Sequence, residues 1–275
     1  MAGEDIADRE RKRSAARWVR PVARIGFASK AAVYMTIGVL ALLLALGLGG
    51  GTTDTRGAIH FLEQLPLGTP LLAFIALGMA GYALWRILQG ILDLDAKGRD
   101  LKGLAMRFGF ICSGLVYASL ALYTVRDLFG SASRGNAQRD ASARILSTPW
   151  GAWILGAIGV AVIGWGLWHF VKAYRETFLQ TTDSGRMSAR EMTWMKRVTK
   201  LGLSARGIVA ITLGIFAINA ALDRNPNEVK GVDGALRELS SQPYGHWILG
   251  LVALGLIAYG IYWGFNVRYR RICAV

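Results

Sequence analysis

The sequence predicts an all-α membrane protein, a bundle of six transmembrane helices made from three parallel two-helix repeats with pseudo-threefold symmetry. Three observations lead to this prediction. Hydrophobic residues make up 53% of the 275 residues and the mean hydropathy is +0.35, which is more apolar than a soluble domain tolerates. Six uncharged apolar stretches are long enough to cross a bilayer. One residue pattern also recurs three times along the chain.

The six apolar stretches each match the hydrocarbon core of a bilayer, which is roughly 30 Å thick. The third and fifth are short, and we expect the flanking Arg107 and Arg206 to extend their charged ends to the interface. The N-terminal segment lacks the apolar core and cleavage site of a signal peptide, so the first stretch is expected to direct insertion. The predicted spans are residues 31–48, 69–85, 108–125, 150–170, 207–222 and 247–267.

Positive charge is distributed unevenly between the two sides of the membrane. Six spans put both chain ends on one side, and 24 of the 32 Lys and Arg residues fall on that side. Basic residues gather on the cytoplasmic side of membrane proteins, so both termini are predicted to be cytoplasmic. Because these residues flank helix ends, the expected partners are the lipid bilayer, anionic lipid headgroups and other membrane protein subunits, and not nucleic acid.

The internal repeat relates three units of two spans each. An offset of 83 residues superimposes Arg24 on Arg107 and Trp85 on Trp168, and offsets of 93 and then 94 lead from the second unit to the third. Each unit enters the membrane the same way round, so the units are parallel and are expected to surround an axis along the membrane normal. The predicted repeats are residues 23–90, 106–173 and 199–267, flanked by basic segments at 1–22 and 268–275.

Each repeat also contains a Pro-x-Gly motif between its outer loop and its return helix. The loop residues before the motif read TRGAIHFLEQL, ASARILS and VDGALRELSSQ, and they predict short interfacial helices on the outer face. We expect the proline to begin the following helix, where its missing N–H is tolerated.

Small and aromatic residues recur at equivalent positions in the spans. Glycine allows close helix packing in lipid, where water expulsion cannot drive association. The return helices end with Trp85, Trp168 and Tyr262, which we expect to form an interfacial aromatic belt. The glycines predicted to pack helices together are Gly26, Gly81, Gly109, Gly164 and Gly202.

Basic residues at equivalent positions allow two interpretations. Near a threefold axis they would form a cationic ring of the kind that selects anions, with Tyr34 and Tyr117 as lining. At the membrane surface they would contact lipid headgroups and anchor helix ends, which the sequence favours because they lie at the ends of the spans. The candidates are Arg24, Lys30, Arg107, Lys200 and Arg206; the second repeat has Ser113 where Lys30 and Arg206 stand.

Catalytic chemistry finds no support in the sequence. The chain has no HExxH, GxSxG or phosphate-loop motif, and no carboxylate pair at a common depth. Cys112 and Cys273 do not form a metal-site pattern, and His169 is the one candidate ligand within the spans. We therefore predict no enzyme activity, no cofactor and no bound metal. The first hypothesis is a non-enzymatic accessory or scaffold subunit; the alternative is a channel or carrier for an anion or small solute.

The repeated pattern resembles a known family. The first repeat reads R-x-G-x-A-x-K-A-A-V-Y from Arg24 to Tyr34 and ends in GYALWR, and related patterns follow in the other two units. This resembles the bacterial domain-of-unknown-function family numbered 1206. The resemblance implies a six-span protein of the bacterial inner membrane and implies no activity. The third repeat departs from the pattern at Ala210 and Tyr262, where the others have tyrosine and tryptophan.

Overall fold

The computed structural model describes residues 2–94, 98, 100–129 and 137–270. The end residues 1 and 271–275 of the two predicted basic segments therefore lie outside the described residues. Six helices are long and apolar enough to span a membrane, which confirms the predicted spans. The helices are α1 (Ala2–Ala45), α2 (Thr55–Glu63), α3 (Gly68–Ile91), α4 (Leu101–Leu128), α5 (Ala137–Leu146), α6 (Gly151–Tyr174), α7 (Ala189–Leu222), α8 (Val232–Ser241) and α9 (Gly245–Tyr269).

Short helices α2, α5 and α8 occupy the three outer loops, as the sequence predicts. The Pro-x-Gly motif works differently from the expectation, because each return helix begins at its glycine and not at its proline. A Cβ at Gly68 would overlap the carbonyl of Glu63, and a Cβ at Gly151 would overlap the carbonyl of Ile145. Glycine therefore allows the return helix to start directly against the end of the short helix.

The six spans pack side by side in the order α4, α3, α1, α9, α7 and α6. The second helix of each repeat packs along the first helix of the next repeat, which gives the pairs α3 with α4, α6 with α7, and α9 with α1. Within a repeat, α1 packs on α3 and α7 packs on α9. Among the described residues, α4 and α6 make no extensive contact with each other, so the two helices of the second repeat are separated.

The predicted packing glycines divide along the same line. A Cβ at Gly26 would lie 2.6 Å from the Cβ of Tyr82, and one at Gly202 would lie 2.6 Å from the backbone nitrogen of Tyr259. A Cβ at Gly81 would overlap the side chain of Val22 in α1. The prediction is wrong for Gly109 and Gly164, where a Cβ would meet no described atom within 4 Å. Their helices, α4 and α6, stand apart.

Helices α4 and α6 expose more of their apolar surface than the other four spans do. Only 17% of the apolar window of α4 and 22% of that of α6 are buried, against 50 to 56% in the other four spans. Because α4 packs mainly on α3 and α6 mainly on α7, each has one covered side and leaves the rest to lipid.

The equivalent glycines Gly26 and Gly109 provide a matched pair of stability tests. We expect Gly26→Ala to destabilise the protein by about 1–3 kcal/mol, because the added methyl group overlaps Tyr82 and the backbone of Gly78. Gly109→Ala should instead be neutral or stabilise the protein by up to about 1 kcal/mol, because alanine favours the helix and its methyl group meets no described atom. Thermal unfolding in detergent measures both. Equal effects of the two substitutions would contradict the open second repeat.

Candidate functional site

Lys30 lies in the interior of the bundle and is 5% exposed. Its ammonium nitrogen is 3.7 Å from the ring centre of Trp263, 4.4 Å from that of Tyr82 and 4.7 Å from that of Tyr117. It also donates a hydrogen bond to the Tyr82 hydroxyl at 3.3 Å. Cation–π contacts of this kind stabilise a desolvated charge by about 2 kcal/mol, so the aromatic rings replace part of its hydration.

Arg206 occupies the equivalent position of the third repeat. Its guanidinium carbon is 5.3 Å from the ring centre of Trp165 and 5.5 Å from that of Tyr34. Its Nε and Nη1 atoms are shielded from solvent and have no hydrogen-bond partner within the described part of the chain. Buried donors without an acceptor are rare because each costs about 1–3 kcal/mol. The guanidinium thus offers unused donors inside the bundle.

Basic side chains enter the interior, and none of the described residues that are buried there is a carboxylate. Neither Lys30 nor Arg206 takes part in any ion pair found between described residues. Arg86 adds a third basic group; its Nε donates to the Tyr82 hydroxyl at 3.0 Å and its Nη1 to Gln89 Oε1 at 3.0 Å. Charged groups within membrane spans are normally paired, so these basic groups are unusual.

The expected lipid-headgroup contact does not fit Lys30, because its side chain is buried inside the bundle. Arg206 is half-buried and directly precedes the uncharged stretch of α7. Its position at the end of that stretch stays a prediction.

Three other predicted basic residues have separate roles. Arg24 is exposed. Arg107 donates from Nε to the Gly90 carbonyl and from Nη2 to the Ile91 carbonyl, both at 2.8 Å, and so caps the last turn of α3. Lys200 pairs with Glu176 at 2.8 Å. The structure therefore brings together only Lys30 and Arg206 of the five candidates.

The two tyrosines predicted as lining do face the interior. The Tyr34 ring lies 4.7 Å from the Tyr259 ring, and the Tyr117 ring lies 4.5 Å from the Tyr82 ring. Ala210 replaces this tyrosine in the third repeat and is fully buried. The tyrosine positions of all three repeats therefore lie inside the bundle.

The predicted aromatic belt is wrong for two of its three members. Trp85 and Tyr262 are only 3% and 2% exposed and belong to the core, whereas Trp168 is 56% exposed. Phe27 joins the core cluster, with its ring 5.3 Å from that of Trp85 and 5.4 Å from that of Trp263. The difference follows from α6, which carries Trp168 and packs only on one side.

Sequence reasoning missed Arg86 and Trp263 as parts of the site. A signal was present, since both follow directly after the aromatic residue that ends a return helix and they occupy equivalent repeat positions. His169 is the corresponding residue of the second repeat. It is buried, and its Nδ1 donates to the Trp165 carbonyl at 2.8 Å. This repeat position therefore holds an arginine in the first repeat, a histidine in the second and a tryptophan in the third.

A second group of polar residues lies at the opposite end of the bundle. The ligand atoms of His60, Glu63 and Asp127 all lie within 4.8 Å of one another, and His60 Nδ1 is 3.0 Å from Glu63 Oε2. One histidine and two carboxylates suit a divalent cation such as zinc or manganese. These residues are half-buried where α2 meets the end of α4.

Known proteins share the threefold repeat. The family model described as Domain of Unknown Function (DUF1206) matches residues 25–93, 108–176 and 201–270. The chain belongs to this family. This DUF1206 protein is 35% identical over 262 residues to the uncharacterized protein YxxB of Bacillus subtilis (strain 168), and the alignment covers 95% of each chain. No solved structure matches it.

The capping role of Arg107 in this DUF1206 protein gives a stability prediction. Arg107→Gln should destabilise the fold by about 1 kcal/mol, because two charge-assisted hydrogen bonds to the end of α3 are lost. Thermal unfolding of Arg24→Gln is the matched control, since Arg24 is exposed and the charge change is the same. An Arg107 variant as stable as the Arg24 variant would contradict the capping role.

The Glu176 cluster of the same DUF1206 protein predicts a pH effect. Hydrogen bonds from Lys196 and Lys200 hold the pKa of Glu176 below its usual value. The stabilisation is therefore present above the unfolded-state pKa of about 4.3 and is lost as the pH falls through the lower folded-state pKa. Glu176→Gln should lower the thermal midpoint slightly at pH 7, and this difference should disappear as the pH falls through that range. A difference that persists in acid would contradict the ion-pair explanation.

Proposed function

We propose that this protein binds an oxygen-bearing anion inside its helix bundle and acts as a carrier for it, in the bacterial inner membrane with both chain ends in the cytoplasm. The proposal rests on Arg206, whose Nε and Nη1 are shielded from solvent and lack an acceptor among the described residues. No enzyme activity is part of the proposal.

The chemistry of the guanidinium selects the ligand class. A planar fork of N–H donors matches the two oxygens of a carboxylate or phosphate, and such charge-assisted bonds are about twice as strong as neutral ones. Tyr34 and Tyr259 flank the same space with hydroxyl groups, and Lys30 adds a second positive charge to the interior. An anion would satisfy donors and balance charge in one step.

The aromatic interior favours a carrier over an open channel. Tyrosine rings from four helices form two contacting pairs, α3 with α4 at 4.5 Å and α1 with α9 at 4.7 Å, and tryptophan rings continue the cluster toward the chain ends. A static aqueous pathway does not pass through such contacts. Movement of a bound anion past this cluster would require the helices to rearrange between two states.

An accessory or scaffold subunit is the second candidate function. The observation that favours it is the exposed apolar surface of α4 and α6, which exceeds that of the other spans. A partner subunit would cover this surface in an assembly. Isolation of the protein from membranes in a defined complex that covers α4 and α6 would support this candidate.

The binding proposal is tested by ligand-dependent stability. Phosphate and carboxylate anions, free and attached to lipids, are added to the purified protein, and the thermal midpoint is measured. At least one anion should raise the thermal midpoint of the natural sequence and of Arg24→Gln. At an anion concentration of a hundred times the dissociation constant, the free energy of unfolding should increase by about 2.7 kcal/mol. Arg206→Gln should abolish the shift.

The unliganded Arg206 variant adds a second readout. Replacing a buried charge that lacks a counter-charge is often neutral or stabilising, so Arg206→Gln without ligand should be at least as stable as the natural protein. A large loss of stability together with an unchanged anion response would contradict the proposal and would assign Arg206 a purely structural role.

A further inference from the structure

We infer that the anion is the head of a membrane-dissolved amphiphile, a carboxylate or phosphate attached to an apolar chain, which reaches Arg206 sideways through the opening between α4 and α6. This inference rests on the proposed anion site and adds the substrate class and the route. Its evidence lies in the second repeat, which differs from the other two.

The first and third repeats each have a close contact between their two helices that the second repeat lacks. In the first repeat, Gly78 of α3 packs on the carbonyl of Ile25 and the side chain of Ser29 in α1. In the third repeat, Gly255 of α9 packs on the carbonyl of Leu201 and the side chain of Ala205 in α7. The same pair of contacts therefore closes both repeats.

The second repeat has the residues for this contact but does not make it in the described structure. The repeat offsets assign Phe108 and Cys112 of α4 and Ala161 of α6 to these positions. All three are exposed. We call the space between these faces the lateral slot. The equivalents of Cys112 and Ala161 are buried in the other two repeats, whereas those of Phe108, Ile25 and Leu201, are exposed there as well.

The lateral slot has walls of small, uncharged residues. Gly109 and Gly164 lie on its two walls, and neither has a described atom within 4 Å of the place where a Cβ would stand. Cys112 and Ala161 add small side chains to these walls. Walls of glycine, alanine and cysteine allow a methylene chain to make van der Waals contacts while it stays in apolar surroundings.

Trp165 connects the slot to the cation. It follows Gly164 in α6, its ring centre is 5.3 Å from the Arg206 guanidinium carbon, and 46% of its surface is exposed. Arg206 itself is half-buried, so part of its side chain remains accessible while Nε and Nη1 are shielded. A head group passing Trp165 would therefore meet the unused donors.

The helices that bound the slot favour a lipid-borne anion over a free one. Both α4 and α6 are long and apolar enough to span a membrane, so we expect a gap between them to open toward lipid. A hydrated free anion would have to leave water and cross hydrocarbon to enter, which is highly unfavourable. An amphiphile keeps its chain in lipid and moves only its head group to Arg206.

The test compares ligands that share a head group but differ in the chain. Native mass spectrometry of the detergent-purified protein measures binding of palmitate against acetate, and of phosphatidate against inorganic phosphate, with phosphatidylcholine as the uncharged-lipid control. We expect the chain-bearing anions to bind at least about tenfold more tightly than their short counterparts. Phosphatidylcholine should not compete.

Two variants separate the slot from the cation. Gly164→Trp fills the slot without touching Arg206 and should weaken palmitate binding by more than about tenfold. Ala80→Trp, at an exposed position of α3, is the matched control and should not change binding. Circular dichroism and thermal unfolding verify that both variants are folded.

Cys112 provides a readout within the natural slot. Its thiol is free and exposed on α4, so its alkylation by N-ethylmaleimide should slow when palmitate is bound, measured with Cys273 replaced by serine. Acetate should give no protection. Protection by palmitate that persists in Gly164→Trp would overturn the slot as the binding place.

The outcomes distinguish this inference from the function on which it rests. Equal binding of free and chain-bearing anions, lost in Arg206→Gln but kept in Gly164→Trp, would overturn lateral entry and leave the anion site intact. Absence of any Arg206-dependent binding would overturn both. A tight dimer cross-linked through Cys112 would give the slot to a second copy and overturn the inference.

Discussion

Positive charge without a counter-charge, held in an apolar bundle, is the constraint on which the rest of this structure depends. A membrane interior offers no water to hydrate an ammonium or guanidinium group, so the protein must supply substitutes. Lys30 receives three aromatic rings and a hydroxyl, and it is thereby satisfied locally. Arg206 receives two rings but keeps donors unused within the described chain. The two equivalent positions therefore differ, because Lys30 has its partners inside the protein and Arg206 keeps two donors without one.

The aromatic core explains how such charges coexist with stable helix packing. Most of the core rings come from α1, α3 and α9, which pack closely through glycines and hold the rings in fixed positions. The charged groups lie on the faces of these rings, where the π-electrons are attractive to cations. Close glycine contacts and cation–π contacts are thus parts of one arrangement, because the first positions the rings for the second.

Sequence alone predicted the class of fold, the six spans and the threefold repeat, because each depends on local hydropathy and residue spacing. It did not predict the ring contacts of Lys30 and Arg206, since a charge at the edge of an apolar stretch has the same pattern whether it faces lipid headgroups or a protein core. The roles of Gly109 and Gly164 were also beyond reach. Their sequence context matches that of Gly26 and Gly81, and only the tertiary structure shows that their partners stand apart.

Repetition has a consequence that a single-copy bundle does not share. The helices α1, α3, α7 and α9 of the first and third copies form a packed frame. The two helices of the middle copy attach to opposite ends of that frame, α4 to α3 and α6 to α7, each along one side and through close glycine contacts. Their other sides are mostly uncovered, so three copies of one hairpin are under different packing constraints.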